Sequence, residues 1–189
     1  MSKEIAVAKD LFHSGLIAGT KSTEQAVATG KYTIECYDKD GILKWTAETK
    51  NLVVNVGLQY MAGVALTSTT QITAWYIGLY GAAASNNPAA TDTLATHGGW
   101  TEITPYSGSR PSATFTAATN ANPSVVTNTS SPASYSINAT ATVGGAFLCS
   151  AASGTSGTLF SAADFQSPGD RSVVSGDTLN VTYTFSLAG

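Results

Sequence analysis

The chain has 189 residues, only 11% of them charged, and a net charge of -3 at neutral pH. That length suits one domain with its own core, and the charge deficit, against roughly 25% in an average soluble domain, leaves Ser and Thr, roughly a quarter of the residues, to wet the surface. The absence of any Lys/Arg cluster argues against direct nucleic-acid binding, and no apolar run is long enough to cross a membrane as a helix.

Ser, Thr, Ala and Gly have few rotamers to lose, so covering such a surface with a partner costs little side-chain entropy. This favours large, permanent contacts. The same composition also fits a β domain with long hydroxyl-rich loops.

Residues 1–28 carry Lys3, Glu4, Lys9, Asp10, Lys21 and Glu24 with weak apolar periodicity, and they read as an N-terminal arm to a single β domain over 29–189. Leu11, Phe12, Leu16 and Ile17 are its candidate interaction residues. They suit a short amphipathic helix, an extended segment along a neighbouring subunit, or a helix folded back on its own domain. No signal-peptide character precedes the domain, so synthesis and assembly are expected in the cytoplasm.

From Lys31 the pattern has period two. Tyr32, Ile34 and Cys36 alternate with Thr33, Glu35 and Tyr37, Asp38 to Gly41 form a turn, and Ile42 to Ala47 alternate on the return, which predicts a β-hairpin. A helix is predicted over 56–66, capped by Asn55, with Leu58, Met61, Ala62 and Ala65 on its apolar face. Gly57 and Gly63 weaken it in isolation, so packing must hold it.

Residues 72–80 (ITAWYIGLY) read as a central strand covered on both faces. Residues 81–98 read as a long loop of the kind that is usually functional, with Asn86, Asn87 and Pro88 as candidate contact residues. Further strands are predicted at 100–105, 112–119, 135–141 and 146–149, with Gly144-Gly145 marking a bulge or turn. The last strand alternates Leu179, Val181, Tyr183, Phe185 and Leu187 against polar residues. About eight short strands and one helix predict an all-β, mainly antiparallel fold, a β-sandwich or jelly-roll-like domain.

No nucleophile elbow, P-loop or dinucleotide fingerprint occurs. His13 and His97 lack an acid-base partner at an informative spacing, and the two His and two Cys lack metal-ligand spacing. Cys36 and Cys149 lie in alternating runs and are expected as buried thiols. Arg110 and Arg171, the only arginines, are expected as structural salt-bridge or carbonyl partners. The reading is of a non-enzyme with no catalytic residue, cofactor or metal.

The order of many elements carries a resemblance. Glu35-Cys36-Tyr37-Asp38-Lys39-Asp40-Gly41, Trp45, Lys50-Asn51-Leu52-Val53, Val56-Gly57-Leu58 and Trp75-Tyr76-Ile77-Gly78-Leu79 resemble small virion structural proteins of tailed bacteriophages. His97 to Glu102, Arg110-Pro111, Gly144 to Leu148, Gly169-Asp170-Arg171 and Gly176 to Leu179 extend the likeness from about Thr29 to the end of the chain. The resemblance implies a virion component. The leading role is a capsid decoration or cement protein, a homo-oligomer whose partner is the major capsid protein or another virion protein. The arm would then clamp a neighbour and the 81–98 loop would meet the capsid. Two alternatives are a tail or head-fibre adaptor and a carbohydrate-binding β-sandwich using Trp45, Trp75 or Trp100 as a stacking platform.

Overall fold

The alternation that starts near Lys31 folds as a hairpin. In the computed structural model, which describes residues 26–81, 87–165 and 169–189, strand β1 (Val27–Tyr37) pairs antiparallel with β2 (Leu43–Lys50). Asp38 Oδ1 accepts the backbone N–H groups of Asp40 and Ile42 at 2.9 Å, and Gly41 sits at a φ of 77°, so Asp and Gly close the turn by side-chain mimicry of the backbone and by tolerance of positive φ. Tyr32, Ile34 and Cys36 are fully buried while their alternates are not. The strand begins at Val27, two residues inside the segment read as arm. The arm residues Leu11, Phe12, Leu16 and Ile17, and Asn86 of the long loop, lie outside the described residues.

The elements that follow are β3 (Leu52–Val53), α1 (Asn55–Leu66), β4 (Tyr76–Gly81), β5 (Glu102–Ile103), β6 (Ser124–Thr127), β7 (Ala133–Ser136), β8 (Ala141–Cys149), β9 (Leu159–Asp164), β10 (Arg171–Val173) and β11 (Thr178–Ala188). They form two antiparallel sheets. The first runs β2-β1-β11-β6, with β7 pairing the other end of β11; the second runs β3-β9-β8-β4-β5, with β10 on β8. The fold is thus all-β and sandwich-like, as the strand pattern predicts.

Between the sheets, Tyr32, Ile34, Cys36, Leu179 and Val181 meet Ile77, Leu79, Val143, Leu148 and Phe160 in one apolar core. A second cluster lies around Gly78, Tyr80 and Phe147 of the other strand parity: Val54, Leu94, Trp100, Leu159 and Ala162 pack there with Tyr80 and Phe147. The described part of the long loop therefore has a structural task, because Leu94 and Trp100 cover β4 and β8. Asp92, itself buried, accepts the Trp100 indole N–H at 3.0 Å. This double covering explains why residues 77–80 read as continuously apolar.

Several local expectations differ from the structure. Only Tyr76 onward of the 72–80 run is strand, and Ile72 to Trp75 lead into it as irregular chain. Residues 112–119 stay outside the sheets apart from a bridge between Ser112 and Tyr76, although Thr116 and Thr119 donate backbone N–H groups to Thr127 and Val125. Gly144-Gly145 lies within one continuous strand and forms a bulge: Tyr80 faces Gly145 and Gly81 faces Val143, leaving Gly144 as the extra residue. A side chain at Gly145 would strike the Tyr80 ring. The strands β6 and β9 have no counterpart in the sequence reading.

The helix has nearly the predicted bounds but a different cap and face. Val54, extended and without a side-chain cap bond, occupies the N-cap, and Asn55 is the first helical residue. Its backbone N–H is satisfied instead by the Ala90 carbonyl at 2.8 Å. The inward stripe is Gly57, Tyr60, Met61 and Val64, with Ala65 exposed at its edge, whereas Leu58 and Ala62 face outward. Gly57 decides this, since a Cβ there would collide with the Phe160 carbonyl oxygen on β9. The absence of a side chain lets helix and strand backbones touch.

Candidate functional site

With α1 anchored at Gly57, the rest of the helix, the chain that follows it and the end of the first sheet enclose an open groove of about 490 Å³. Tyr60, Met61 and Val64 form one wall, Ile72 and Trp75 the next, and Phe185 and Leu187 of β11 the opposite side. A chain of rings runs through it. Tyr60 meets Trp75 edge-on at 5.5 Å between centroids, Trp75 meets Phe160 at 5.4 Å, and Phe160 meets Phe185 at 5.5 Å. Edge-to-face packing of this kind fixes ring orientation as well as burying area. The Tyr60 hydroxyl accepts the Ile72 backbone N–H at 2.7 Å and so ties the wall to the helix.

The groove lies in a charge-free part of the molecule. Residues 51–91, 111–163 and 178–189 contain no Asp, Glu, Lys or Arg, and every residue that lines the groove belongs to one of these stretches. Leu187 on the groove is 42% exposed, and on the helix Leu58 is 43% and Leu66 86% exposed. The four lysines of the described residues, by contrast, all lie on the β1-β2 hairpin.

Asn87 and Pro88 are placed elsewhere, on the rim of a shallow hollow of about 420 Å³ shared with Glu48, Lys50, Asn51 and Asp164. Burial, and then the nearby Asp170 charge, push the Asp164 carboxyl above the usual range. The hollow is open and mixes charged and amide side chains with Leu52, Pro88, Ala162 and Ala163. Sequence reasoning named these loop residues but missed the groove, whose one readable signal was the long uncharged run from Asn51 onward.

The remaining reactive side chains hold structure. Arg110, 4% exposed, makes a bidentate pair with Glu102 at 2.7 and 2.6 Å and donates to the carbonyls of Ala151 and Gly154, with its guanidinium 5.2 Å from the Phe147 ring centroid. This is the structural partner role expected of it. Arg171 lies over Trp45 at 5.9 Å. His97 stacks on Trp100 at 3.6 Å with its Nδ1 2.8 Å from the Trp100 carbonyl, the geometry of an Nδ1–H donor. Trp100 and Trp45 are thus faced by other side chains, and Trp75 is a groove wall. Cys36 and Cys149 are both buried free thiols. Among the described residues, no three His, Cys, Asp or Glu side chains come together as a metal site.

No family model, curated protein or solved structure matches this chain.

Proposed function

We propose that the chain is a structural subunit of a bacteriophage virion, a capsid decoration or cement protein that stabilises the head by bridging capsid subunits as a homo-oligomer. The observation that carries this reading is the charge-free region built by α1, the groove and the end of β11. An apolar face of that kind, wetted by hydroxyls and small side chains, loses little entropy when covered. It suits the permanent contacts of roughly 1,000 Å² or more that hold an assembly together. The resemblance of its ordered sequence elements to phage virion proteins supplies the context.

A tail or head-fibre adaptor would use the same contact chemistry at another place on the particle. A carbohydrate-binding role finds less support, because the Trp100 ring is packed against His97, Tyr80 and Phe147 and the Trp45 ring lies under Arg171.

Electron cryomicroscopy of particles carrying the protein is the test. The expected result is regular density on the outer shell at capsomer junctions, together with earlier DNA loss on heating from particles that lack it. Density confined to the tail would replace the cement role with the adaptor. A purified chain that stays monomeric and ignores particles, or that degrades a polysaccharide, would overturn the structural reading altogether.

A further inference from the structure

Strand β1 enters the first sheet beside the groove. Ala28 is paired with Leu187, a groove-lining residue, and Val27 with Ala188. The residues before Val27 therefore start at the rim. Twenty-five residues precede Ala26 in the sequence, and they include Leu11, Phe12, Leu16 and Ile17. Their charges cancel, three lysines against Glu4, Asp10 and Glu24, so nothing repels this segment from an uncharged surface.

We propose that the groove between α1 and β11 is the seat of the chain's own N-terminal arm, with the apolar side chains of residues 11–17 placed against Trp75, Val64, Phe185 and Leu187. This does not depend on the virion reading, whose contacts would then fall to the helix face outside the filled groove, where Leu58 and Leu66 are exposed; it requires only the groove and the point of attachment. Eight residues lie between Ile17 and Ala26, a tether that spans up to about 30 Å when extended. A segment held on so short a tether meets its site at an effective concentration of the order of millimolar. It would therefore outcompete the arm of another copy at ordinary protein concentrations, even with identical contacts. A groove of about 490 Å³ falls in the size range that accepts a few large apolar side chains or one small ligand.

The test uses the full chain labelled with 5-fluorotryptophan, whose three tryptophan resonances are assigned through Trp75→Phe and Trp45→Phe. Wild type is compared with the double variant Phe12→Asp, Leu16→Asp, and each is titrated with anilinonaphthalene sulfonate. The expected outcome is a moved Trp75 resonance in the variant, an unmoved Trp100 resonance showing that the fold persists, and a several-fold rise in dye fluorescence as the groove opens. The Trp75 position in wild type should be the same in dilute and concentrated samples, whatever the oligomer present. Identical Trp75 resonances and equal dye binding in both proteins would overturn the proposal. So would a Trp75 shift that appears only with concentration and dimer mass, which would make a second copy the occupant.

Discussion

Asp177 shows how much one side chain can coordinate. Almost fully buried, it accepts the Lys44 ammonium at 2.6 Å, the Val174 backbone N–H at 2.9 Å and the Cys36 thiol at 3.7 Å. Burial alone would raise its carboxyl, but the Lys44 bond and the Val174 N–H outweigh it, and the group is held below the usual carboxylate range. Its folded value thus lies below its unfolded one. The stability it contributes is complete above the ordinary Asp value of about 4 and is lost as pH falls through the folded value. Asp177→Asn should cost about 1–3 kcal/mol at neutral pH and flatten the acid limb of stability against pH, measured by urea denaturation across that range. The same carboxylate, after burial itself, pushes the Cys36 thiol up to about 11. The buried position of Cys36 was legible from alternation along β1. The role of Asp177 was not legible, because its lysine partner is distant in sequence and leaves no local trace.

At the level of elements, the helix was legible in extent and illegible in orientation. Two stripes with spacings of three and four exist on residues 55–66 and share Met61; the one through Leu58 is apolar throughout, whereas the other contains Gly57 and the hydroxyl of Tyr60. The structure uses the stripe through Gly57, since contact between backbones there brings α1 onto β9 and turns Leu58 outward. Gly57→Ala should destabilise the fold by about 1–3 kcal/mol through overpacking against the Phe160 carbonyl. Gly63→Ala should be milder, for an added Cβ meets the Thr69 hydroxyl at the end of a side chain that can rotate away, and the change gains helix propensity. Urea midpoints of the two variants check the order. Strand β9 escaped detection for a related reason. Leu-Phe-Ser-Ala-Ala-Asp alternates nothing, because five of its six residues are buried and small ones are needed where the helix and the first sheet press closest.

At the scale of the whole molecule, charge among the described residues is partitioned: lysines on the hairpin, none of any sign on the stretches that build α1 and the groove. Contacts made through an uncharged face have no counterions to be screened, so attachment to particles through it should persist from low salt to about 0.5 M sodium chloride, measured by cosedimentation; release by salt would move the contact to the hairpin. The two-sheet architecture was legible because β1 and β11 alternate cleanly, while the pairing of strands was not, since register between distant segments is written in no local pattern. That pairing has its own consequence. The first and last strands are zipped along all eleven residues, so as the ribosome emits β1 its main neighbour is still to be made, and the sandwich can close only after translation has passed Ala188. Such late, long-range closure makes for slow folding and an aggregation-exposed nascent chain, and a nonsense codon at the start of the last strand, near Thr178, would strand the opening hairpin along with the missing strand.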